Sequence, residues 1–133
     1  MHATLYGERT LTDLDHVRLT KLLAAGAPPA LEDLLDATEV VRSRDVAADI
    51  VTMYSQVAIV DARSRRRQQL TLCYPGDAEP AAGFISVLSP VGMGLIGLRL
   101  GALAKWRTPD GHEGSAKLVE ILFQPEASGD YTT

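Results

Sequence analysis

The chain contains a single cysteine, Cys73, among its 133 residues. No intramolecular disulfide can form, which excludes the disulfide-stapled domains of secreted proteins and favours a reducing compartment. Because Cys73 lies among alternating apolar neighbours in residues 70–74, we interpret it as a small buried side chain of a strand rather than as a nucleophile.

Arrangements of residues that would carry catalysis are also missing. The histidines His2, His16 and His112 are scattered without the spacing of metal ligands, and Ser89 does not stand in a Gly-x-Ser-x-Gly turn. The glycines of residues 92–101 do not follow the spacing of a dinucleotide-binding or phosphate-binding loop. The sequence therefore predicts a protein that is not an enzyme, with no catalytic residue, no metal site and no cofactor.

A net positive charge and a membrane-spanning segment are absent as well. The formal net charge of −4 disfavours broad binding to nucleic acid, and we expect no sequence-specific nucleic-acid binding. Residues 80–98 carry no charge, but prolines and glycines interrupt any continuous helix there, so we interpret the segment as core and turn. Residues 1–9 have no apolar stretch of the kind found in secretory signals. We expect a cytoplasmic protein with no membrane partner.

A first helix is predicted over residues 13–25. Thr12 offers a hydroxyl cap, and Asp13 and Asp15 place negative charge in the first turn, where the helix dipole favours it. Gly26 and the prolines behind it end the helix.

The apolar residues of this first helix do not share one face. Four leucines fall within an arc of about 120° at 100° per residue; they are Leu11, Leu19, Leu22 and Leu23. Leu14 and Val17 lie outside that arc. The helix is therefore apolar on more than one side, which leaves surplus apolar surface for a contact.

A second helix is predicted to begin near Ala30, with separate apolar and acidic faces. The apolar stripe consists of Leu31, Leu34, Leu35 and Thr38, and the opposite arc of Glu32, Asp33, Asp36 and Glu39. Residues 40–41 break the period and are interpreted as extended chain. Because the loop between the helices is short, we expect an antiparallel helical hairpin whose longer arm is only about 20 Å long.

Beyond residue 45 the pattern changes from helical to extended. Five β-strands are predicted, over residues 50–61, 70–74, 85–87, 102–107 and 117–123. The last two flank Pro109-Asp110-Gly111, a strong hairpin signal. With a boundary near Arg44, the chain divides into residues 1–44, a helical hairpin forming a short coiled coil, and residues 45–133, a mostly antiparallel sheet with one short helix. The predicted fold class is α+β.

The most strongly specified backbone lies in residues 85–101. Ser89 is an N-cap followed by Pro90 at the first helical position, and Gly101 suits a turn with positive φ that ends the segment. Apart from Arg99, the segment holds no acidic or basic side chain. A segment this well specified, yet chemically inert, favours a surface for a partner over an active site.

Four arginines cluster between the first two predicted strands, namely Arg63, Arg65, Arg66 and Arg67. Two interpretations stay open for this basic run: a solvated hairpin tip, or an electrostatic contact with phosphate or with an acidic protein surface. The single tryptophan, Trp106, lies on a predicted strand, and we interpret it as core rather than as a ligand platform.

Several of these segments together resemble a known family. The run 85–92 (ISVLSPVG), followed by 95–97 (LIG), Gly101 and 108–111 (TPDG), is similar to the C-terminal domain of the Gre transcript-cleavage factors. The regulator of nucleoside diphosphate kinase (Rnk) branch of that superfamily is similar in 37–41 (ATEVV), 51–57 (VTMYSQV), 72–75 (LCYP) and 124–126 (QPE). The resemblance covers almost all of residues 37–131.

The resemblance implies an FKBP-like C-terminal domain without prolyl isomerase activity, which docks at the mouth of the RNA polymerase secondary channel. In Gre factors the residues just before and at the Ser-Pro step face the polymerase, and by position that role falls on Leu88, Ser89 and Pro90. Gre factors also carry two acidic residues at the tip of a long coiled coil, where they hold a catalytic metal. Here the tip, residues 24–30 (AAGAPPA), has no carboxylate, so we expect no transcript cleavage.

We therefore predict a non-enzymatic, polymerase-binding regulator that occupies the secondary-channel entrance and competes with Gre-type factors, with a link to nucleoside diphosphate kinase. Two alternatives stay open. One is a peptidyl-prolyl isomerase, which would need an aromatic-lined apolar pocket. The other is a self-associating or kinase-directed interaction module that uses Leu14 and Val17. For the polymerase-binding regulator we expect a monomer.

Overall fold

The computed structural model describes residues 9–131. His2 and most of the segment considered above for a secretory signal lie outside the described residues. The helices are α1 (Asp13–Ala24), α2 (Pro29–Ala37) and α3 (Pro90–Leu95); the strands are β1 (Arg9–Thr12), β2 (Thr38–Val41), β3 (Gln56–Asp61), β4 (Arg67–Cys73), β5 (Phe84–Ser86), β6 (Leu103–Arg107) and β7 (Glu113–Phe123). The combination of a helical pair with a five-stranded sheet confirms the α+β class.

Both long helices follow from local capping and apolar spacing. The Thr12 hydroxyl accepts a hydrogen bond from the backbone N–H of Asp15 at 3.0 Å, as its predicted capping role requires. Past the end of α1, Gly26 has a φ of 96°, a conformation that favours glycine. α2 buries its three leucines and leaves its acidic residues exposed, and the two helices pack against each other.

A parallel pair of strands joins the two ends of the helical pair. β1 precedes α1, β2 follows α2, and Arg9 is opposite Thr38 in their register. The extended conformation of residues 40–41 is confirmed, but the prediction of Thr38 and Glu39 on the faces of the second helix is wrong, because α2 ends at Ala37 and both residues pair in β2. No local signal in the sequence marks β1, because a four-residue strand that pairs with a segment 29 residues away has no turn of its own.

The main sheet has the strand order β5-β4-β3-β7-β6. Its pairs are antiparallel except for β4 and β5, which are parallel, so the prediction of a mostly antiparallel sheet is confirmed. The hairpin between β6 and β7 turns at Pro109-Asp110-Gly111, where Gly111 has a φ of 89°.

The prediction of one strand over residues 50–61 is wrong in its first half. Ile50 forms only an isolated bridge with Arg99, and the strand begins at Gln56. Between them the Ser55 hydroxyl accepts a hydrogen bond from the Thr52 N–H at 2.9 Å, and Tyr54 has a φ of 65°. The apolar residues of this tight turn are buried because they lie between the sheet and the helical pair. Their apolar composition therefore resembles that of a strand, although they do not pair as one.

One apolar core runs through the described residues. Leu11 of β1, Leu19 of α1 and the α2 leucines Leu31 and Leu34 lie in one buried cluster with residues of the sheet and of α3. The sheet and α3 contribute Leu72, Leu118 and Leu95, among others, to this cluster. Val17 lies outside this cluster and is 52% exposed, as its position off the main arc predicts. Among the described residues, no helix combines the length and the hydropathy needed to cross a bilayer.

Candidate functional site

The Ser89-Pro90 step is fixed from both sides by hydrogen bonds. The Ser89 hydroxyl accepts from the Gly92 N–H at 3.1 Å and donates to the Ser86 carbonyl at 2.7 Å. The backbone N–H of Leu88 donates to the Ser86 hydroxyl at 3.0 Å. Leu88, Ser89 and Pro90 are each half-buried. The predicted partner-binding segment is therefore a rigid corner with part of its surface open to solvent.

Gly92 lets this corner lie directly on the end of β5. A Cβ at Gly92 would stand 2.1 Å from the Ser86 carbonyl oxygen and 2.9 Å from the Val87 Cα. No side chain fits in that space. The glycine thus allows α3 to start immediately against the strand that precedes it.

The basic run lies at the tip of the β3–β4 hairpin. The Asp61 carboxylate accepts hydrogen bonds from the backbone N–H groups of Arg63 and Ser64 at 2.8 and 2.7 Å, and these bonds lower the pKa of Asp61. Arg65 has a φ of 64°. The loop is therefore an ordered turn, and it holds the exposed side chains of its arginines above a fixed backbone.

The four arginines differ in their ion pairing. Arg67 belongs to β4 and pairs with Glu120 on β7 at 2.5 Å, across two half-exposed side chains. Arg63, Arg65 and Arg66 precede the strand, and no ion pair joins them to a carboxylate of the described residues. Exposed pairs of this kind add little stability, and the three remaining guanidinium groups form a local basic surface.

A pocket of about 340 Å³ joins the Ser-Pro corner to the basic run. Its walls are apolar side chains of the sheet and of α3, and Ser89 and Arg66 stand on its edge together with Ser64, Asp61 and Gln68. Leu88, Pro90, Arg63, Arg65 and Arg67 do not line it. Two features that the sequence presents 23 residues apart thus border one cavity, which can accept an apolar side chain beside a polar or acidic group.

Trp106 closes one side of this pocket and lies on β6. A Cβ at Gly114, which is opposite it on β7, would stand 2.4 Å from the indole Nε1, so the ring lies flat over that glycine. Gly94 of α3 brings the helix backbone close to the same ring. Trp106 is half-buried and packs against the core, as predicted, but it also lines a cavity; Gly114 at the facing position was the available sequence signal.

A buried polar cluster lies where α1 meets the turn before β3. Asp15 is only 1% exposed, and its carboxylate accepts a hydrogen bond from the Met53 N–H at 3.1 Å. Burial, helped by the charge of nearby Glu126 and opposed by the hydrogen bond from Met53, raises the pKa of Asp15 to about 6. Glu126 accepts a hydrogen bond from the Thr52 hydroxyl at 2.7 Å, and burial raises its pKa too.

The remaining candidates of the sequence lie apart. Within residues 9–131, no group of three histidine, cysteine, aspartate or glutamate side chains is placed to hold a metal ion. The Cys73 thiol is buried, its Sγ lies 3.5 Å from the Ile85 carbonyl, and burial raises its pKa, as expected of a strand residue with little thiolate character.

Comparison with known proteins identifies the family. Residues 46–123 match the family model described as "Transcription elongation factor, GreA/GreB, C-term". The regulator of nucleoside diphosphate kinase of Escherichia coli strain K12 is 35% identical over 127 residues, which cover 91% of this chain and 93% of that protein. The transcription elongation factor GreA of Azorhizobium caulinodans is 31% identical over 101 residues, covering 76% of this chain and 64% of that protein.

A solved structure agrees with these sequence matches. The prokaryotic transcription elongation factor GreA/GreB from Nitrosomonas europaea superposes with a TM-score of 0.71 at 33% identity, over 87% of this chain and 98% of that one. The family match, the near-complete overlap with a regulator and the shared fold point the same way. The chain belongs to the GreA/GreB transcription elongation factor family and is similar over most of its length to the regulators of nucleoside diphosphate kinase.

Proposed function

We propose that this protein is a non-enzymatic transcription regulator that binds RNA polymerase at the entrance of the secondary channel and competes there with Gre-type factors. The observation that carries this proposal is the rigid corner at Leu88, Ser89 and Pro90, which stays partly open to solvent inside the segment that matches the family. A corner held by three hydrogen bonds binds a partner without first having to be ordered, which lowers the entropic cost of association.

The surroundings of the corner favour a protein partner. The pocket beside Ser89 is apolar, with Trp106 as the one aromatic residue among those that line it. Arg66 on its edge, and Arg63 and Arg65 beyond, supply positive charge for an acidic surface. A mostly apolar cavity bordered by Arg66 and Asp61, with Arg63 and Arg65 beyond, combines an apolar anchor with charged groups that can steer a partner.

The helical pair supports competition without transcript cleavage. Residues 25–28 join α1 to α2, and the tip over residues 24–30 carries no carboxylate. With its 12 residues, α1 is about 18 Å long. In this proposal residues 1–44 form a short coiled-coil arm and residues 45–133 an FKBP-like domain that does the docking, in a monomeric, cytoplasmic protein. The name of the relative from Escherichia coli adds a proposed link to nucleoside diphosphate kinase.

Displacement of a labelled Gre-type factor from purified core polymerase tests the proposal. The wild-type chain should displace it, and Pro90→Ala and Ser89→Asp should each weaken the competition by about fivefold to tenfold, the effect of losing one good interface contact. Aspartate can still accept from the Gly92 N–H as a helix cap, but it loses the hydrogen bond to the Ser86 carbonyl, so the unfolding midpoint of Ser89→Asp is measured beside its competition to show that it is folded.

Pro109→Ala is the matched control, because Pro109 is an exposed proline of the β6–β7 turn that lines no part of the pocket beside Ser89. It should compete like the wild type. Equal competition by all three variants would remove the docking role from the corner, and failure of the wild type to compete would overturn the proposed function itself.

A further inference from the structure

Helix α3, which follows the docking corner, cannot hold its own conformation. It has six residues, begins with a proline and contains Gly92 and Gly94. Isolated helices shorter than about 12 residues are marginal in water, and each glycine costs about 1 kcal/mol relative to alanine. The carbonyl groups at its C-terminal end also lack partners within the helix. Its stability must therefore come from groups outside it.

Arg9 supplies those partners from the other end of the chain. Its Nη1 donates to the Ile96 carbonyl at 2.6 Å and to the Met93 carbonyl at 3.1 Å, across 87 and 84 residues of sequence. Arg9 is only 4% exposed. A guanidinium at the negative end of a helix dipole, shielded from water, makes hydrogen bonds stronger than those between neutral groups.

The backbone of β1 fixes the place of this guanidinium. The Thr10 N–H donates to the Gly97 carbonyl at 3.0 Å, and a Cβ at Gly97 would stand 2.8 Å from the Thr10 carbonyl oxygen. Gly97 has a φ of 77° and in turn donates to the Val51 carbonyl at 2.8 Å. β1 thus lies in backbone contact with the turn that ends α3.

We infer that Arg9 is a positioning residue that clamps the C-terminal end of α3 and thereby sets the presentation of Ser89 and Pro90 to the partner. Ser89 caps one end of the helix and Arg9 the other, so loss of either frees it. Because β1 continues into α1, the clamp also couples the helical pair to the docking corner. The binding part of this inference rests on the proposed function; the clamping of α3 does not.

Hydrogen exchange of the isolated protein tests the clamp. Arg9→Met retains an unbranched, mostly apolar side chain like the stem of arginine and removes the guanidinium donors. It should accelerate exchange of the Gly92, Met93 and Ile96 amides by about tenfold or more, while the β3–β7 amides exchange as in the wild type. Arg42→Met is the control, since Arg42 is an exposed arginine paired with Asp45 away from α3. Unchanged exchange in α3, or equal acceleration at all amides, would overturn the clamp.

Affinity for core polymerase tests the positioning role. Arg9→Met should weaken binding by about tenfold and Arg9→Lys, which keeps the charge and one donor direction, by less. In a Pro90→Ala background Arg9→Met should have little further effect, because both changes act on the same corner. If the double variant is folded and its loss of affinity equals the sum of the two single losses in binding free energy, Arg9 does not act on the corner through α3. Absence of wild-type binding would overturn the proposed function and the positioning role, while the exchange result would still decide the clamp.

Discussion

The environment of Asp15 in the structure differs from the one that its position in the sequence suggests. Its position in the first turn of α1 predicts a negative charge that interacts with the helix dipole. The structure instead buries it against the Met53 N–H, with Glu126 nearby and one of its oxygens, Oδ1, without a hydrogen-bond partner in the described part of the chain. A first-turn acid has the same sequence pattern whether it faces water or another segment, so the sequence alone could not predict this burial.

Stability should therefore fall as pH rises through the titration of Asp15. Its pKa is about 6 in the folded protein, against an ordinary value of 3.8 for an aspartate in an unfolded chain, so the folded state binds more protons between these values. Unfolding free energy should drop between about pH 4 and pH 6 and then level off, with the burial of Glu126 acting in the same direction. Arg18 on α1 and Tyr74 also face this carboxylate, and the charge of Arg18 opposes the shift.

Asp15→Asn removes the titration and keeps an oxygen for the Met53 N–H. A pKa difference of about two corresponds to about 3 kcal/mol, so the variant should be more stable than the wild type at neutral pH by up to about that amount. Urea midpoints measured across the pH range test this. Asp33→Asn, on the exposed face of α2, should leave the pH dependence as it is. A steep fall between about pH 4 and 6 that persists in Asp15→Asn would assign the titration to another group.

At the scale of elements, short-range signals were predictable and long-range pairings were not. The caps at Thr12 and Ser89 and the turn at residues 109–111 each depend on neighbours a few residues away, and all three are confirmed. The parallel pairing of β1 with β2 and of β4 with β5 depends on contacts between distant segments, which periodicity does not encode.

The candidate site divides in the same way. The Ser-Pro corner and the basic run were visible in the sequence as separate features, because each is a local pattern of capping or charge. The pocket between them exists only because the hairpin tip of β3 and β4 lies next to the start of α3. The sequence therefore indicates Ser89 and Arg66 as separate candidates but does not predict the cavity that both of them line.

Substitution of Gly92 tests the close contact between α3 and β5. Gly92→Ala should destabilise the protein by about 1–3 kcal/mol, because a methyl group 2.1 Å from the Ser86 carbonyl must push α3 off β5, which outweighs the gain in helix propensity. Gly76→Ala adds a Cβ with nothing within 4 Å and should change stability by less than about 0.5 kcal/mol. Denaturant unfolding of both variants compares them, and equal midpoints would refute the close approach.

At the scale of the whole molecule, the helical pair and the sheet share one core rather than forming a body and a free arm. Leu11, Leu19 and Leu31 are buried together with residues of the sheet and of α3. Together with the hydrogen bonds of Arg9 to α3, this ties the helical pair to the face that carries the proposed docking corner. A short arm fixed in this way can block an entrance without extending a group towards a distant active site.

Stalled elongation complexes test this difference from a cleavage factor. We expect no stimulated shortening of the RNA on adding this protein, because residues 24–30 offer no carboxylate for a metal ion. A Gre factor in the same reaction is the positive control. An Ala25→Asp, Ala27→Glu variant should stay inactive as well, since α1 is only about 18 Å long. RNA shortening by the wild-type chain would contradict the proposed mode of action.

The bond between Arg9 and α3 also governs the order in which the chain assembles. Arg9 is synthesised 84 and 87 residues before Met93 and Ile96, whose carbonyl groups it binds. At about 5–20 residues per second, β1 leaves the ribosome several seconds before its contact on α3 exists. Contacts of such sequence separation also slow folding. The helical pair, although made first, therefore reaches its final place only when the second half of the molecule has been synthesised.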